Sequence, residues 1–341
     1  MNAENLYRYE LKRLYRVLLL WTAAFLLVYV LPAATSSTSD GMLRYYEMHT
    51  SFCTVVLVCM CSLMPATALR YRTQRGSADL YYSLPMARER ILGVKYLAGY
   101  TVCVAAFTVG FWFGFAALML RTGGNYYWGY FFPQYLFDLI GGYIVYAVSS
   151  FLYSRANTSA DGIAFLVIFN LLGMSVSSLL GEFFSVTVEV FSPWGGLSMV
   201  TAFFQDMTEA GETTLLSQDY APWYIAGACL YAALAVAATV ALFRTERRYS
   251  TENCGQISES PFGYRVMYPV TVVCASAATF LWNRAVTIPF AVLFDSVAIL
   301  ISYVAMVAYR RSVWIGWKHF LVWLASLLAG GVLAVLIHMC S

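Results

Sequence analysis

"GSADLYYSLPMARERILGVKY", Gly76–Tyr96, sets two arginines, a lysine, two acids and a proline between two long apolar runs. The chain around it is 60% hydrophobic and only 11% charged over 341 residues. Soluble domains carry roughly 25% charged residues. A charged, ordered-looking stretch in such surroundings is a connection between membrane spans, which makes the chain an all-α integral membrane protein, a polytopic helical bundle. Within the stretch, Ser83 is placed to cap a helix whose first turn holds Pro85, where a missing N–H costs nothing. The helix then continues through "MARERILGVKY". Met86, Ile91, Val94 and Leu97 form its apolar set, and Arg88, Glu89 and Lys95 project elsewhere. Such a helix lies across the end of the bundle and shows its charged side to a soluble partner. The competing reading is a solvated loop whose charges only set topology.

Outward from this stretch, nine apolar runs have the length to cross a hydrocarbon layer of ~30 Å at about 1.5 Å per residue. They cover 17–34, 50–69, 97–120, 134–153, 160–182, 222–243, 266–283, 288–309 and 319–339. Lys and Arg accumulate in cytoplasmic loops. With the N-terminus inside, all 21 fall on the cytoplasmic side except Arg44, Arg121 and Arg284. The expected organisation is a segment 1–16, a six-helix core 17–243 with loop 70–96 on one side and outer loop 183–221 on the other, a basic loop 244–265, and spans in 266–341. The outer loop holds no Lys or Arg but does hold Glu189, Asp206, Glu209, Glu212 and Asp219. Its "SVTVEVF" alternates as a short strand or re-entrant segment does.

The opening "ENLYRYELKRLYRVLLL" puts Tyr7, Leu11, Leu14 and Leu18 on one helical face, with Arg8, Lys12 and Arg16 on another and Arg13 beside them. That is an interfacial amphipathic helix running into the first span, or simply a charged topology anchor. The apolar run after Arg16 is long enough to span, so it reads as a span and not as a cleavable signal. The eight cysteines lie mostly in apolar runs, and no His or acid stands at ligand spacing beside Cys59 and Cys61, which argues against a metal site.

Asp295, Asn170 and Asp138 are the candidates for an intramembrane polar site. Asp138 is expected near the outer end of its span, within reach of water. Asp295 lies deeper and either lines a polar pathway or is protonated and bonded to Ser296 or Tyr303. Asn170 and the Ser175, Ser177, Ser178 cluster serve interhelical packing as readily as substrate contact. Gly141–Gly142 and Gly330–Gly331 mark close helix approach, and "NYYWGYFF", 125–132, an interfacial aromatic belt.

"GSADLYYSLPMARERILGVKYLAGY" resembles the segment between the second and third spans of ABC-2 type ABC-transporter permeases of Gram-positive bacteria, where Ser-Leu-Pro and a following basic residue open the coupling segment. The likeness extends over roughly the first 265 residues. It takes in "YELKRLYR", the "SPWGGL" of the outer loop, and Arg248, Glu252 and Gly255 after the sixth span. It implies a six-span ABC-2-like core with about three extra C-terminal spans. It also implies a partner ATP-binding cassette subunit contacted through Ser83, Leu84, Pro85, Arg88, Glu89, Arg90 and the N-terminal helix, and a second permease, as homo- or heterodimer, within the membrane lipids. The expected protein is an exporter subunit of a bacterial cytoplasmic membrane, its N-terminus on the cytoplasmic side. The expected chain has no catalytic residues and binds no cofactor or metal, ATP and magnesium belonging to the partner. Consistently, no G-x-x-x-x-G-K-[ST] phosphate loop occurs in the chain.

Two other classes compete. An ion-coupled secondary transporter or membrane sensor would work without ATP, with Asp295 as the proton site of the transporter. An intramembrane enzyme would need clustered His, Asp or Cys, whereas His49, His319 and His338 are scattered. The net charge of +3 is too small to suggest nucleic acid.

Overall fold

Long apolar runs dictate long helices here even where they hold Pro65, Gly110 or Gly142, because in a bilayer a helix satisfies the backbone groups internally. The computed structural model describes residues 2–35, 54–122, 128–184, 221–246, 249, 254–256, 258, 260–282, 296, 299–307 and 316–340. Its helices are α1 (Ala3–Thr35), α2 (Thr54–Ala68), the short α3 (Arg75–Tyr82), α4 (Arg88–Thr122), α5 (Trp128–Tyr153), α6 (Ser159–Phe184), α7 (Ala221–Glu246), α8 (Met267–Trp282), α9 (299–307) and α10 (Trp317–Cys340). A 3₁₀ turn, Arg70–Thr73, joins α2 to α3, and a π-type turn, Pro261–Arg265, leads into α8. Seven of these helices are long and apolar enough to cross a membrane. The other two expected spans are represented among the described residues by α2 and α9. Outer loop 183–221, with its "SVTVEVF", lies outside the described residues beyond Phe184.

α1 runs unbroken for 33 residues, so the boundary expected near residue 16 falls inside one helix. It packs chiefly along α4, while α2 lies against α5, α5 against α7, and α8 between α6 and α10. The largest cluster of buried apolar side chains joins α1, α2, α4 and α5 around Phe25, Tyr29, Phe107 and Phe111. Their rings meet edge-on or tilted at centroid distances of 5.6 to 6.2 Å, the arrangement aromatic quadrupoles favour. A second cluster, around Phe165, Tyr264 and Tyr268, ties α6 to α8 and to Trp323 of α10.

The opening stretch folds differently from the reading of its residues. Ser83 does not start a helix: it closes α3, its N–H bonded to the carbonyl of Asp79 and its hydroxyl to that of Leu80 at 2.8 Å. Leu84–Met86 form the turn, and the next helix begins only at Arg88, continuing straight into the third span. Pro85 is therefore exposed in a connection and is not in a first helical turn. Lys95 does not project outward but is 1% exposed, and Leu97, expected on the apolar side, is 58% exposed. The cause is tertiary: Tyr81 and Tyr82 each reach a buried carboxylate, and a helix started at Ser83 would not hold them there.

Candidate functional site

The basic segments assemble at one end of the bundle, around two buried glutamates. On α1 the positions Leu6, Glu10 and Leu14 follow one another at helical spacing and are all buried. An acid in that apolar row is costly unless it is paired. Glu10, 0% exposed, receives Lys95 Nζ from α4 at 2.6 Å on Oε1 and Tyr81 OH from α3 at 2.8 Å on the same oxygen. Arg13 Nη2 stands 2.8 Å from Oε2, and also reaches the carbonyls of Thr67 and Ala68 at 3.4 Å, tying in the end of α2. The Lys95 ammonium sits 3.5 Å from the centroid of the Tyr81 ring and 4.6 Å from that of Tyr71, so the rings take up the donor side that the carboxylate leaves.

The second carboxylate, Glu246, ends α7 and is also 0% exposed. Tyr82 OH donates to its Oε1 at 2.8 Å. Arg72 Nη1, 3% exposed, approaches Oε2 to 2.9 Å, an ion contact off hydrogen-bond alignment. The Arg72 guanidinium lies 4.3 Å over the Tyr249 ring, whose hydroxyl donates to the Arg72 carbonyl at 2.7 Å; Cys254 Sγ donates to that carbonyl at 2.9 Å. Burial works against the charge on Arg72, but Glu246 opposes it strongly enough that its pKa lies above the ordinary value. Burial and then the neighbouring carboxylate hold the phenols the other way, with protons firmly on. Tyr81 and Tyr82 both lie above the usual tyrosine range, so each is a permanent donor.

Adjacent tyrosines on one short helix thus hold two helices far apart in sequence. Further ties close the same end. Arg88 Nη1 donates to the Tyr249 carbonyl at 3.1 Å and its guanidinium lies 4.7 Å from the Tyr82 ring centroid. Thr73 and Ser159 share a hydroxyl hydrogen bond of 2.7 Å, and Ser258 donates to the Arg155 carbonyl at 2.8 Å. Gly255, at φ 86°, takes a left-handed turn open to glycine without strain and bonds Asn157. Arg155 has a lowered pKa through burial and then the nearby charge of Arg72.

The residues singled out from sequence distribute around this centre. Arg8, Lys12 and Arg16 are exposed along α1, Arg8 pairing with Glu4, whereas Arg13 belongs to the Glu10 cluster. Ser83, Pro85, Arg88 and Arg90 are exposed on the α3–α4 turn, and Leu84 and Glu89 are half-buried. Of the residues after the sixth span, Gly255 is described, while Arg248 and Glu252 lie outside the described residues. Asp138 is 4% exposed in α5, so the expected reach toward water does not hold. Asn170 donates to the Leu166 carbonyl within α6, and Asp295 lies outside the described residues.

Glu10, Tyr71, Arg72, Tyr81, Tyr82, Lys95 as a buried cation, and Glu246 were not legible as a site. One sequence signal points to the first: an acid in the Leu6–Leu14 row, at the spacing of its apolar neighbours. What the assembled end offers chemically is mechanical. Its buried carboxylates are taken up by Lys95, Arg13, Arg72 and the two tyrosines, while its exposed arginines face outward. Nothing among curated proteins and nothing among solved structures matches the chain. The model of a family described as ABC-2 family transporter protein matches residues 13–204, from the Glu10 cluster's Arg13 to beyond the end of α6. With that match over more than half the chain and a bundle of apolar helices around it, the protein belongs to the ABC-2 family of transporter membrane proteins, as a multi-pass permease subunit that works with an ATP-binding subunit.

Proposed function

We propose that the arginine-rich end is the cytoplasmic face of an exporter permease, and that the α3–α4 turn receives force from ATP hydrolysis on the separate subunit. The observation that carries this is the pair of adjacent tyrosines. Through Tyr81 and Glu10, a push on α3 is passed to α1 and to Lys95 of α4; through Tyr82 and Glu246 it is passed to α7. Exposed Ser83, Pro85 and Arg90, with Arg88 and Glu89 beside them, form the contact, and Arg8, Lys12 and Arg16 flank it. The excess of Lys and Arg at this end supports a cytoplasmic location for it, and for the N-terminus with it. A bacterial cell membrane, a second permease across the lipid-facing helices and outward flux complete the proposal, the last by family analogy alone.

The test separates contact from transmission. Arg90→Glu, at an exposed position, is expected to weaken co-purification with the ATP-binding subunit encoded alongside. Tyr81→Phe with Tyr82→Phe is expected to leave the complex intact but to uncouple ATP turnover from transport. Arg90→Glu with full complex and full ATPase stimulation removes the contact role. Normal coupling in the double phenylalanine variant removes the lever.

A further inference from the structure

A chamber of about 1050 Å³ lies between α6, α8, α9 and α10. Three of these are helices long and apolar enough to span a membrane, and α8 and α10 lie beyond the stretch matched by the family. The wall is largely hydrocarbon, and Leu171, Met174, Leu328 and Val332 are exposed along it, so the chamber opens to the outside of the bundle.

Its polar atoms are decisive. Ser175 donates to the Leu171 carbonyl at 2.8 Å, Thr271 to Met267 at 2.7 Å, Ser276 to Val273 at 3.1 Å, Thr279 to Ser276 at 3.0 Å, and Ser302 to Ile299 at 2.8 Å. Tyr268 donates to the Ser302 carbonyl, and Ser302 Oγ also accepts from Trp323 Nε1 at 2.9 Å. Each of these hydroxyl protons is thus committed to a backbone carbonyl. Apart from the exposed Ser178 these lining groups have no proton to offer, so a hydrated solute entering here would shed water and gain little in return. An apolar guest loses nothing, and apolar cavities of this kind take apolar ligands.

The neighbouring glycines divide their roles accordingly. A Cβ on Gly330 would stand 1.8 Å from Ser276 Oγ and 2.7 Å from the Val273 carbonyl oxygen, so this residue makes the α8–α10 crossing. A Cβ on Gly331 would meet nothing within 4 Å, because that face looks into the chamber. We infer that the chamber is a binding site for the acyl chain of a bilayer phospholipid, admitted sideways between the C-terminal helices and α6. The surrounding hydrocarbon supplies the occupant, and filling the space restores the dispersion contacts its walls would otherwise lack.

The experiment uses the full chain in phosphatidylcholine nanodiscs doped with phosphatidylcholine carrying a diazirine near the end of one acyl chain. Irradiation and peptide mapping are expected to find adducts on Met174 and on the α8 and α10 walls. Gly331→Phe, which puts a ring into the chamber at a position where an added Cβ meets nothing within 4 Å, should lower the yield of those adducts while the outward faces around Leu20 and Leu120, 67% and 87% exposed, keep theirs. Retention on the outward faces shows that the variant is folded and inserted. Chamber adducts unchanged in Gly331→Phe, or absent from the unaltered chain while Leu20 is labelled, overturn the inference. An Ala275→Cys variant, made in a chain whose native cysteines are replaced by serine, provides an independent reading: its thiol, kept from ionising by hydrocarbon, should resist a charged maleimide until the protein is denatured. Rapid modification by the charged reagent would show a water-filled chamber and equally overturn it.

Discussion

At the arginine-rich end, helices are joined by long side chains across two buried carboxylates, whereas α8 and α10 meet through Gly330, Ser276 and a backbone carbonyl. α8 carries no Asp, Glu, Lys or Arg at all. Both regions bury polar atoms, yet they satisfy them differently. Glu10 takes Lys95 and Tyr81, and Glu246 takes Tyr82 and Arg72, from other elements, so each of these contacts fixes one element relative to another. Around the chamber Ser175, Thr271, Ser276, Thr279 and Ser302 each donate to a carbonyl of their own helix, and only Tyr268 and Trp323, both bonded to Ser302 of α9, tie helices together there among the described residues. Buried ion pairs are poor stabilisers relative to well-packed apolar residues, and their best-attested use is to specify one arrangement. Small residues let backbones approach where lipid offers no hydrophobic drive between helices. The first region is therefore built to move as a linked unit, and the second to pack closely and leave a gap beside the contact.

The sharpest way to break this comparison is at Glu10. Glu10→Ala leaves Lys95 buried with no carboxylate, an uncompensated charge that should cost about 3–5 kcal/mol. Thermal unfolding in nanodiscs should show a marked loss of stability. Glu10→Leu combined with Lys95→Met removes both charges and should recover most of it, because the pair is worth little against hydrophobic replacements of similar size. If the double variant is no better than Glu10→Ala, the cluster contributes through something other than mutual neutralisation.

A smaller effect is expected at the α8–α10 contact. Gly330→Ala forces a methyl group onto Ser276 Oγ and the Val273 carbonyl, and the helices must part or shift at a cost of about 1–3 kcal/mol. Gly331→Ala, one residue on, should be neutral in the same assay. Equal behaviour of the two would mean that the crossing is not set by this glycine.

These two regions also differ in how far the sequence disclosed them. Hydropathy located the spans, since about 20 apolar residues in a row leave little choice in a bilayer. The Gly330–Gly331 pair was readable as a close approach, although the structure gives that role to Gly330 and leaves Gly331 facing open space. Gly142 is a milder close approach, its added Cβ lying 3.3 Å from Cys61 Sγ, which a small shift would accommodate. The clamps were not readable. Lys95 pairs with a residue 85 positions away and Tyr82 with one 164 positions away, and no local period encodes such partners. Helix propensity pointed to a start at Ser83, but the local preference yields to the two tyrosine–carboxylate bonds that require α3 to end there. The apolar row of Leu6 and Leu14 was visible, and the acid between them was the one mark that something had to meet it.

The smallest predicted effect tests the other half of the comparison. Thr271→Val keeps the branched shape and deletes only a hydroxyl that already bonds the Met267 carbonyl of its own helix. That carbonyl retains its helical partner, and side-chain back-bonding of this kind adds little to a helix or weakens it slightly. The change in stability should therefore fall below the ~0.6 kcal/mol typical of a hydrogen bond between helices in a bilayer. A loss well above that value would mean that Thr271 reaches across to another helix, in the manner of Tyr81 and Tyr82. A neutral result places its hydroxyl with those that shape the wall without joining it, and leaves the wall as apolar as its carbon atoms make it.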